Sequence, residues 1–287
     1  MNGPEGAADP RRRTGVVVQA SLDDLTSADV RFLQEAARHG ALHVRLPSDA
    51  LVERTTGRPP KFPVAERRFL AASLRCVASV GVVEREAVAA IADIARRSST
   101  IVVRADQDAP ALRERAALHG LAYTIFGRDD LAGFPAWDAN AGEIRPPAAG
   151  DPPRVVVTGC YDWLHSGHIR FFIDAAALGE LFVVVGSDAN VELLKGPGHP
   201  LQSQDERRYM VGAVRHVKRC LVSSGSGWTD AAPEIARIRP RFYVLNEDGD
   251  QPEKREFCRG HGIEYVVLRR LPHPGLPARS STDLRGS

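Results

Sequence analysis

Residues 155–179, VVVTGCYDWLHSGHIRFFIDAAALG, decide the fold of the second half of the chain. The stretch opens with three valines, and a short β-branched run is typical of a buried strand in a parallel sheet. Gly159 interrupts this run, and from His168 onward apolar residues recur at helical spacing. Gly179 then stands where a helix commonly ends. The stretch therefore predicts a strand, a glycine-containing turn and a helix.

Two histidines, His165 and His168, lie at the predicted start of this helix. The first N–H groups of a helix are free and its dipole is positive at that end, so such a turn suits a phosphate group. Side chains three residues apart share one side of a helix. We expect both imidazoles to reach one phosphoryl group and to stabilise the charge that builds up during its transfer. The alternative is helix capping together with one hydrogen-bonded histidine.

The segment GCYDWLHSGH, residues 159–168, resembles the G-x-[FY]-D-x-x-H-x-G-H motif of the HxGH nucleotidyltransferase superfamily. It is most similar to the cytidylyltransferase branch, which includes the ethanolamine-phosphate and glycerol-3-phosphate enzymes. Heptose-phosphate adenylyltransferases carry a similar segment. The resemblance implies a nucleotide site around the strand end and the turn, formed by Thr158, Gly159, Cys160, Tyr161, Asp162 and Gly167 beside the two histidines.

The composition limits the classes of function. The chain has 287 residues, 43% of them hydrophobic, and a net charge of +2. This length suits two domains, and the near-balanced charge argues against a nucleic-acid partner. No apolar run could cross a membrane, and the N-terminus lacks the apolar core of a secretory signal. The cysteines show no CxxC pairing, so we expect free thiols in a cytoplasmic protein, with Cys160 as a packing residue rather than a nucleophile.

The sequence also resembles itself. When Val16–Glu53 is placed over Val155–Glu192 without gaps, 18 of 38 positions are identical. Ordinary composition would give about three matches. With small gaps the match continues to His119–Tyr123 over His261–Tyr265. We therefore predict two copies of one domain, with these bounds: a disordered tail at 1–13, a first copy at 14–134, a mobile, exposed linker at 135–153, and a second copy at 154–287.

Each copy alternates strands with helices, which predicts a parallel sheet covered on both faces. The fold class is therefore α/β, with two Rossmann-like doubly wound parallel-sheet domains in tandem. In the second copy we expect strands near 155–157, 181–185, 219–223, 242–245 and 265–268. We expect helices near 168–178, 205–214, 229–238 and 252–261.

The two copies differ at the chemical positions. Thr26 stands where the second copy has His165, and Asp29 stands where it has His168. A carboxylate at a helix start would repel a phosphate, so we expect the first copy to be catalytically degenerate. Superfamily members commonly pair as homodimers. We therefore expect the first copy to take the place of a second subunit in an intrachain pseudo-dimer, with a homodimer of the whole chain as the alternative.

Three further segments of the second copy resemble family motifs. Lys195 resembles the family lysine that reaches the triphosphate or the substrate from a mobile segment. Arg207 resembles the arginine of a helix-start motif that contacts the nucleotide, although Arg67 in the first copy makes a structural ion pair the alternative. The closing segment resembles a late family motif whose hydroxyls and amides bind the β- and γ-phosphates, with capping as the alternative. It contributes Ser281, Thr282 and Arg285.

Other polar residues follow the predicted strands. Asn246 and Asp248 belong to an acidic, glycine-containing turn that related enzymes place near the nucleotide and the acceptor. We assign Asp188, Trp228 and Asp250 to the substrate side of the same cleft, because ligands bind beyond the carboxyl ends of parallel strands. The alternatives are a helix cap for Asp188, an edge plug for Trp228 and a plain turn for Asp250.

These features predict a nucleotidyl transfer. A phosphate oxygen of a small phosphorylated or phosphonate acceptor attacks the α-phosphorus of a nucleoside triphosphate, and pyrophosphate leaves. His165 and His168 stabilise the transition state, while Lys195 and Arg207 hold anionic oxygens. Mg²⁺ is expected as the cofactor, held mainly by the triphosphate. Tyr161 and the tandem arrangement favour CTP, with ATP as the alternative. A non-catalytic nucleotide-binding scaffold is the alternative from another class.

Overall fold

The computed structural model describes residues 15–137, 142–280 and 284. The chain divides into two compact units. The first consists of Met1–Ala72 and Cys76–Ala132, and the second of Ser73–Arg75 and Gly133–Ser287. No helix among the described residues has the length and apolar composition that a membrane span requires.

The first unit is built on a five-stranded parallel sheet with the order β3-β2-β1-β4-β5. Its strands are β1 (Gly15–Gln19), β2 (Ala41–Pro47), β3 (Val77–Val83), β4 (Thr100–Arg104) and β5 (Ala122–Phe126). Its helices are α1 (Ser27–Ala37), α2 (Asp49–Thr56), α3 (Val64–Ala72), α4 (Ile91–Arg97) and α5 (Pro110–Leu118).

The second unit has a five-stranded parallel sheet of the same order, β8-β7-β6-β9-β10. Its strands are β6 (Arg154–Gly159), β7 (Glu180–Val185), β8 (Val217–Val222), β9 (Phe242–Asn246) and β10 (Glu264–Leu268). Its helices are α6 (Ser166–Ala176), α7 (Asp188–Lys195), α8 (Gln204–Gly212), α9 (Ala232–Ile238) and α10 (Pro252–Gly260). The predicted fold class, two Rossmann-like α/β sheets, is confirmed.

Strand β6 is the central strand of the second sheet, and its valines explain its position. Val155, Val156 and Val157 are fully buried because helices cover both faces of the sheet. Strand order reverses at β6, which pairs with β7 on one side and with β9 on the other. In open α/β sheets a ligand crevice lies at such a point, beyond the carboxyl ends of the strands.

Helix α7 is absent from the predicted helices, although the capping alternative for Asp188 implied a helix start at this point, and the cap is the preceding residue. The side chain of Ser187 accepts a hydrogen bond from the backbone N–H of Asn190 and thereby caps the helix start. Gly196, at φ +87°, ends the helix directly after Lys195. Lys195 is therefore the last residue of a helix and not part of a mobile segment.

The prediction of a mobile, exposed linker at residues 135–153 is wrong at Trp137. This side chain is 5% exposed, and its indole N–H donates a 3.1 Å hydrogen bond to the backbone carbonyl of Tyr209. The two rings also stack, with centroids 5.5 Å apart. A large aromatic side chain buries enough apolar surface to fix a segment that its prolines and glycines make irregular.

Candidate active site

A cavity of about 270 Å³ lies at the carboxyl ends of β6 and β9 and at the start of α6. Eleven of the residues assigned to the site from the sequence line it: Thr158, Gly159, Cys160, Tyr161, Asp162, His165, Gly167, His168, Lys195, Asn246 and Asp248. Its wall also contains Phe171, Leu245, Gly249, Lys254, Arg270 and Ser280, which the sequence analysis did not single out.

His165 is the N-cap residue of α6. Its ring nitrogen Nδ1 accepts a 3.1 Å hydrogen bond from the backbone N–H of Gly167, and the side chain is almost fully buried. Because Nδ1 accepts, the neutral ring carries its proton on Nε2. The capping alternative therefore describes part of its role, and the same residue also lines the cavity.

His168 stacks on His165, with ring centroids 3.8 Å apart and planes inclined by 23°. The Tyr161 ring is packed edge-to-face with the His168 ring, with the two centroids 5.1 Å apart. Its Nδ1 is buried, with no hydrogen-bond partner in the part of the chain that the structure describes. Burial, followed by His165 and Arg270, lowers the pKa of His168 well below its ordinary value. The imidazole is therefore neutral at pH 7, and a bound anion would favour its protonation.

The turn before α6 depends on close packing between Gly159 and Tyr161. Tyr161 has a positive φ of 54° and is 6% exposed. A Cβ atom on Gly159 would lie 2.8 Å from the Tyr161 ring, so only glycine fits there. Burial also raises the pKa of the neighbouring Cys160 thiol, which stays protonated at neutral pH as its interpretation as a packing residue requires.

In the first unit the same helix start forms a capping box instead. The hydroxyl of Thr26 accepts from the backbone N–H of Asp29, and the Asp29 carboxylate accepts from the backbone N–H of Thr26. Asp29 also forms an ion pair with Arg104 at 2.6 Å. The positions that carry histidines in the second unit therefore serve local structure in the first.

The structure corrects the assignment of Arg207 as a nucleotide ligand, because this arginine acts as a structural clamp. Its side chain is fully buried. The guanidinium donates to the backbone carbonyls of Gln202, Cys160 and Gly186 at 2.8 to 3.0 Å, and to the Asp188 carboxylate at 2.7 Å. These bonds leave little capacity for a phosphate, and they hold three turns at the rim of the cavity in fixed positions.

The assignment of Asp188 to the substrate is likewise corrected. Its carboxylate accepts a hydrogen bond from Arg207, and the residue lies outside the lining of the cavity. Arg67 repeats the clamp in the first unit. It is fully buried and donates to the carbonyls of Phe62 and Pro47 and to the Asp49 carboxylate. The alternative of a structural ion pair therefore describes both arginines.

Asp162 also has a structural role, although it lines the cavity. Its buried carboxylate accepts hydrogen bonds from the backbone N–H groups of Leu201 and Gln202 at 2.8 to 2.9 Å. In the first unit Asp23 makes the equivalent bonds to Lys61 and Phe62, both at 2.8 Å. We therefore assign Asp162 to holding the loop before α8 rather than to binding the nucleotide.

Asp250 does not reach the cavity either. Its carboxylate accepts from Arg255 and from the Tyr265 hydroxyl, at 2.9 Å for the latter. The hydrogen bond from Arg255 is the main cause that lowers the pKa of this carboxyl group. Asp250 thus stabilises the junction of α10 and β10, which corrects its assignment to the substrate.

A second cavity of about 310 Å³ adjoins the first. Trp228 lines it and is 41% exposed. Its assignment to the substrate side of the cleft stays a prediction. The two cavities share seven residues: Thr158, Gly159, Cys160, Lys195, Asp248, Gly249 and Lys254. The shared residues mark a junction through which a ligand in one cavity can contact a ligand in the other.

Two cations of the site were missed by sequence reasoning. Arg270 follows β10 and donates to the Asp248 carboxylate at 2.5 Å and to the backbone carbonyl of Arg279 at 2.9 Å. Lys254 lies in the first turn of α10. The repeat contained a signal for it, since Leu112 occupies the aligned position of the first unit.

Three predicted phosphate ligands, Ser281, Thr282 and Arg285, lie outside the described residues. Their neighbour Ser280 lines the first cavity. Among the described residues, no cluster of three or more His, Cys, Asp or Glu side chains could hold a metal ion. The carboxylates of Asp162 and Asp248, which line the cavity, are both bonded within the protein.

Comparison with known proteins agrees with this geometry. Residues 156–285 match the model of the cytidylyltransferase-like family. An FAD synthase from Aciduliprofundum boonei is 36% identical over 137 residues, which are 47% of this chain and 85% of that protein. The chain belongs to the cytidylyltransferase-like family.

Two further relatives and a solved structure also match part of this chain. The FAD synthase of Methanoculleus marisnigri is 36% identical over 131 residues, 45% of this cytidylyltransferase-like chain and 84% of that protein. The bifunctional protein HldE of Azotobacter vinelandii is 35% identical over 45% of this chain and 26% of its own length. A crystal structure of a lipopolysaccharide core biosynthesis protein from Thermoplasma volcanium has 24% identity and a TM-score of 0.36, and covers 42% of this chain and 98% of that one.

Proposed function

We propose that the second unit transfers AMP from ATP to a small phosphorylated acceptor and releases pyrophosphate. The observation that carries the proposal is the stacked His165–His168 pair at the start of α6, which lines a cavity at the switch point of the sheet. Nucleotidyl transfer is the activity that the family and the relatives have in common. The choice of nucleotide and acceptor is our inference.

ATP replaces CTP as our main expectation for the nucleotide. FAD contains an AMP group joined to FMN through a pyrophosphate bond, so relatives named FAD synthase favour an adenine nucleotide. Tyr161, one of the features that favoured CTP, is 6% exposed and packs against His168. Its position in the turn therefore has a structural explanation that is independent of the base.

The mechanism follows from how the site arranges charge. An oxygen of the acceptor phosphate attacks the α-phosphorus, a new P–O bond forms, and the bond to the bridging oxygen of pyrophosphate breaks. His165 and His168 would donate to the α-phosphoryl oxygens, and Lys195 would follow the moving charge from the end of α7. Arg207 and Asp162 hold the surrounding turns, so the reacting groups meet a fixed frame.

We expect Mg²⁺ to arrive on the triphosphate, since the described residues provide no cluster of ligands for it. We further propose that the first unit is not catalytic, because its capping box occupies the place of the histidines. That this unit takes the place of a second subunit stays a prediction.

The test is pyrophosphate release by the full-length protein with ATP, CTP, GTP or UTP and a panel of acceptors. The panel contains FMN, a heptose 1-phosphate, glycerol 3-phosphate and phosphoethanolamine. We expect ATP to support turnover with one member and CTP to support little. Turnover with CTP alone would reverse the nucleotide assignment, and binding without turnover across the panel would favour the non-catalytic scaffold.

A further inference from the structure

We propose that Lys254 binds the phosphate group of the acceptor at the junction of the two cavities, with the body of the acceptor in the second cavity beside Trp228. This inference rests on the proposed function and assigns the acceptor end of the same site. It adds a substrate-binding residue that lies outside every sequence motif described above.

The position of Lys254 is the first support. It lines both cavities, whereas His165 and His168 line only the first. With the body of the acceptor in the second cavity, a phosphate that attacks a phosphorus held by the histidines lies near the junction. Lys195 lines both cavities as well. Two ammonium groups on different helices are thus available to one phosphate.

The state of the Lys254 ammonium is the second support. The side chain is half-buried, and its Nζ lies 5.8 Å from the centroid of the Trp228 ring. It forms no hydrogen bond or ion pair with any residue in the part of the chain that the structure describes. Burial lowers its pKa, and Asp230 offsets this only in part. A partly desolvated cation that has no hydrogen bond or ion pair among the described residues is costly unless an anion binds to it.

The nearby carboxylates do not neutralise the Lys254 ammonium, and Asp230, which lines only the second cavity, offsets the effect of burial on its pKa only in part. The Asp250 carboxylate is already bonded to Arg255 and Tyr265. Asp248 lines both cavities, but its charge is paired with Arg270 at 2.5 Å. The junction therefore keeps a net positive charge that suits a phosphate monoester.

The first unit provides an internal comparison. Leu112 occupies the position of Lys254 and is 7% exposed within an apolar core. Thr56 similarly occupies the position of Lys195. The aligned helix of the first unit is thus complete without a lysine, which indicates that the fold does not require one there.

The second cavity indicates the class of acceptor. Trp228 and Leu194 expose 41% and 37% of their surface and form an apolar rim. Asp230 supplies a carboxylate in the same cavity, while the Asn190 amide is bonded to the backbone of Gly227 and holds the loop before Trp228. This combination suits a phosphate monoester whose body presents a planar or apolar face as well as hydrogen-bonding groups.

The experiment measures binding of inorganic phosphate to the full-length protein by calorimetry. The nucleotide site is first saturated with α,β-methylene-ATP, whose α–β bond cannot be cleaved, so that phosphate reports on the acceptor position. The variants are Lys254→Leu, which copies Leu112, and Lys254→Arg, which keeps the charge. Lys218→Met is the matched control, because Lys218 pairs with Glu180 outside both cavities.

We expect Lys254→Leu to weaken phosphate binding about tenfold or more, and Lys254→Arg to restore it to within about threefold of wild type. Lys218→Met should bind as wild type does. Lys254→Gln replaces the leucine variant if its melting curve shows misfolding. Phosphate affinity unchanged in a folded Lys254→Leu or Lys254→Gln variant would overturn the inference.

The two proposals fail in different ways. If α,β-methylene-ATP binds and phosphate affinity does not depend on Lys254, the acceptor assignment is wrong and the proposed function stands. If the analogue does not bind, phosphate is titrated into the free protein. Binding that depends on Lys254 would then keep the residue as an anion ligand, while the proposed transfer of AMP from ATP would be wrong.

Discussion

Replacing Arg207 with methionine tests whether this arginine is a structural clamp or a nucleotide ligand. The substitution removes a fully buried guanidinium and keeps most of the volume of the side chain. Three backbone carbonyls, those of Cys160, Gly186 and Gln202, lose their donor, and Asp188 loses its ion-pair partner.

The magnitude follows from these bonds. A hydrogen bond to a charged group contributes about 1.5 to 3 kcal/mol, and such contributions are not additive within one network. The Asp188 side chain is 44% exposed and stays solvated when Arg207 is removed, so the cost comes mainly from the three backbone carbonyls that lose their donor. At about 1 to 3 kcal/mol for each unsatisfied group, and with partial relaxation, we expect a total loss of about 3 to 5 kcal/mol. For a unit of this size that loss lowers the melting temperature by about 10 °C.

The assay is thermal and urea unfolding, followed by nucleotide titration of the folded protein. Arg67→Met should destabilise the first unit by a similar amount, because its clamp is the same. Arg259→Met, at an exposed position of α10, should change stability by less than about 0.5 kcal/mol. An Arg207→Met protein of wild-type stability that no longer binds ATP would show that the clamp interpretation is wrong.

Two further predictions concern the turn before α6. The pKa of His168 is lowered in the folded state, so the unfolded state binds the proton more tightly and acid favours unfolding. The free energy of unfolding of the wild type should therefore fall by about 1 kcal/mol between pH 6.5 and about pH 5.5, as measured by urea titrations at each pH. His168→Asn should remove this fall, and an equal fall in both proteins would contradict the prediction. Gly159→Ala should destabilise by about 1 to 3 kcal/mol because its methyl group meets Tyr161. Gly260→Ala, which meets no atom within 4 Å, should be neutral or stabilising in the same melts, and equal effects of the two substitutions would refute the packing argument.

The sequence predicted the sheets well because the signals for them are local. The valines of β6 and the helical spacing after His168 determine their elements whatever the distant contacts are. Helix α7 was left out because its cap, Ser187, looks like any serine after a strand. Trp137 was misjudged because its partner, Tyr209, lies far along the chain.

The site was predicted in part, and the errors have one physical cause. Arg207 and Asp162 bond to backbone groups of distant turns, which no local pattern reveals. Their counterparts Arg67 and Asp23 remain in the first unit, where the histidines are absent. The residues that both units keep at these two positions bond to the backbone of their own unit. Lys254, whose aligned position in the first unit is a leucine, lines the cavity.

The central claim is that the stacked histidines stabilise the α-phosphorus during transfer. The most direct measurement is the rate of pyrophosphate release from ATP by wild type and by His168→Asn, with the acceptor that supports turnover. We expect the variant to be slower by a factor of about 100 to 1,000. Its melting temperature should stay within about 3 °C of wild type at pH 7. A folded His168→Asn variant that releases pyrophosphate at the wild-type rate would contradict the account.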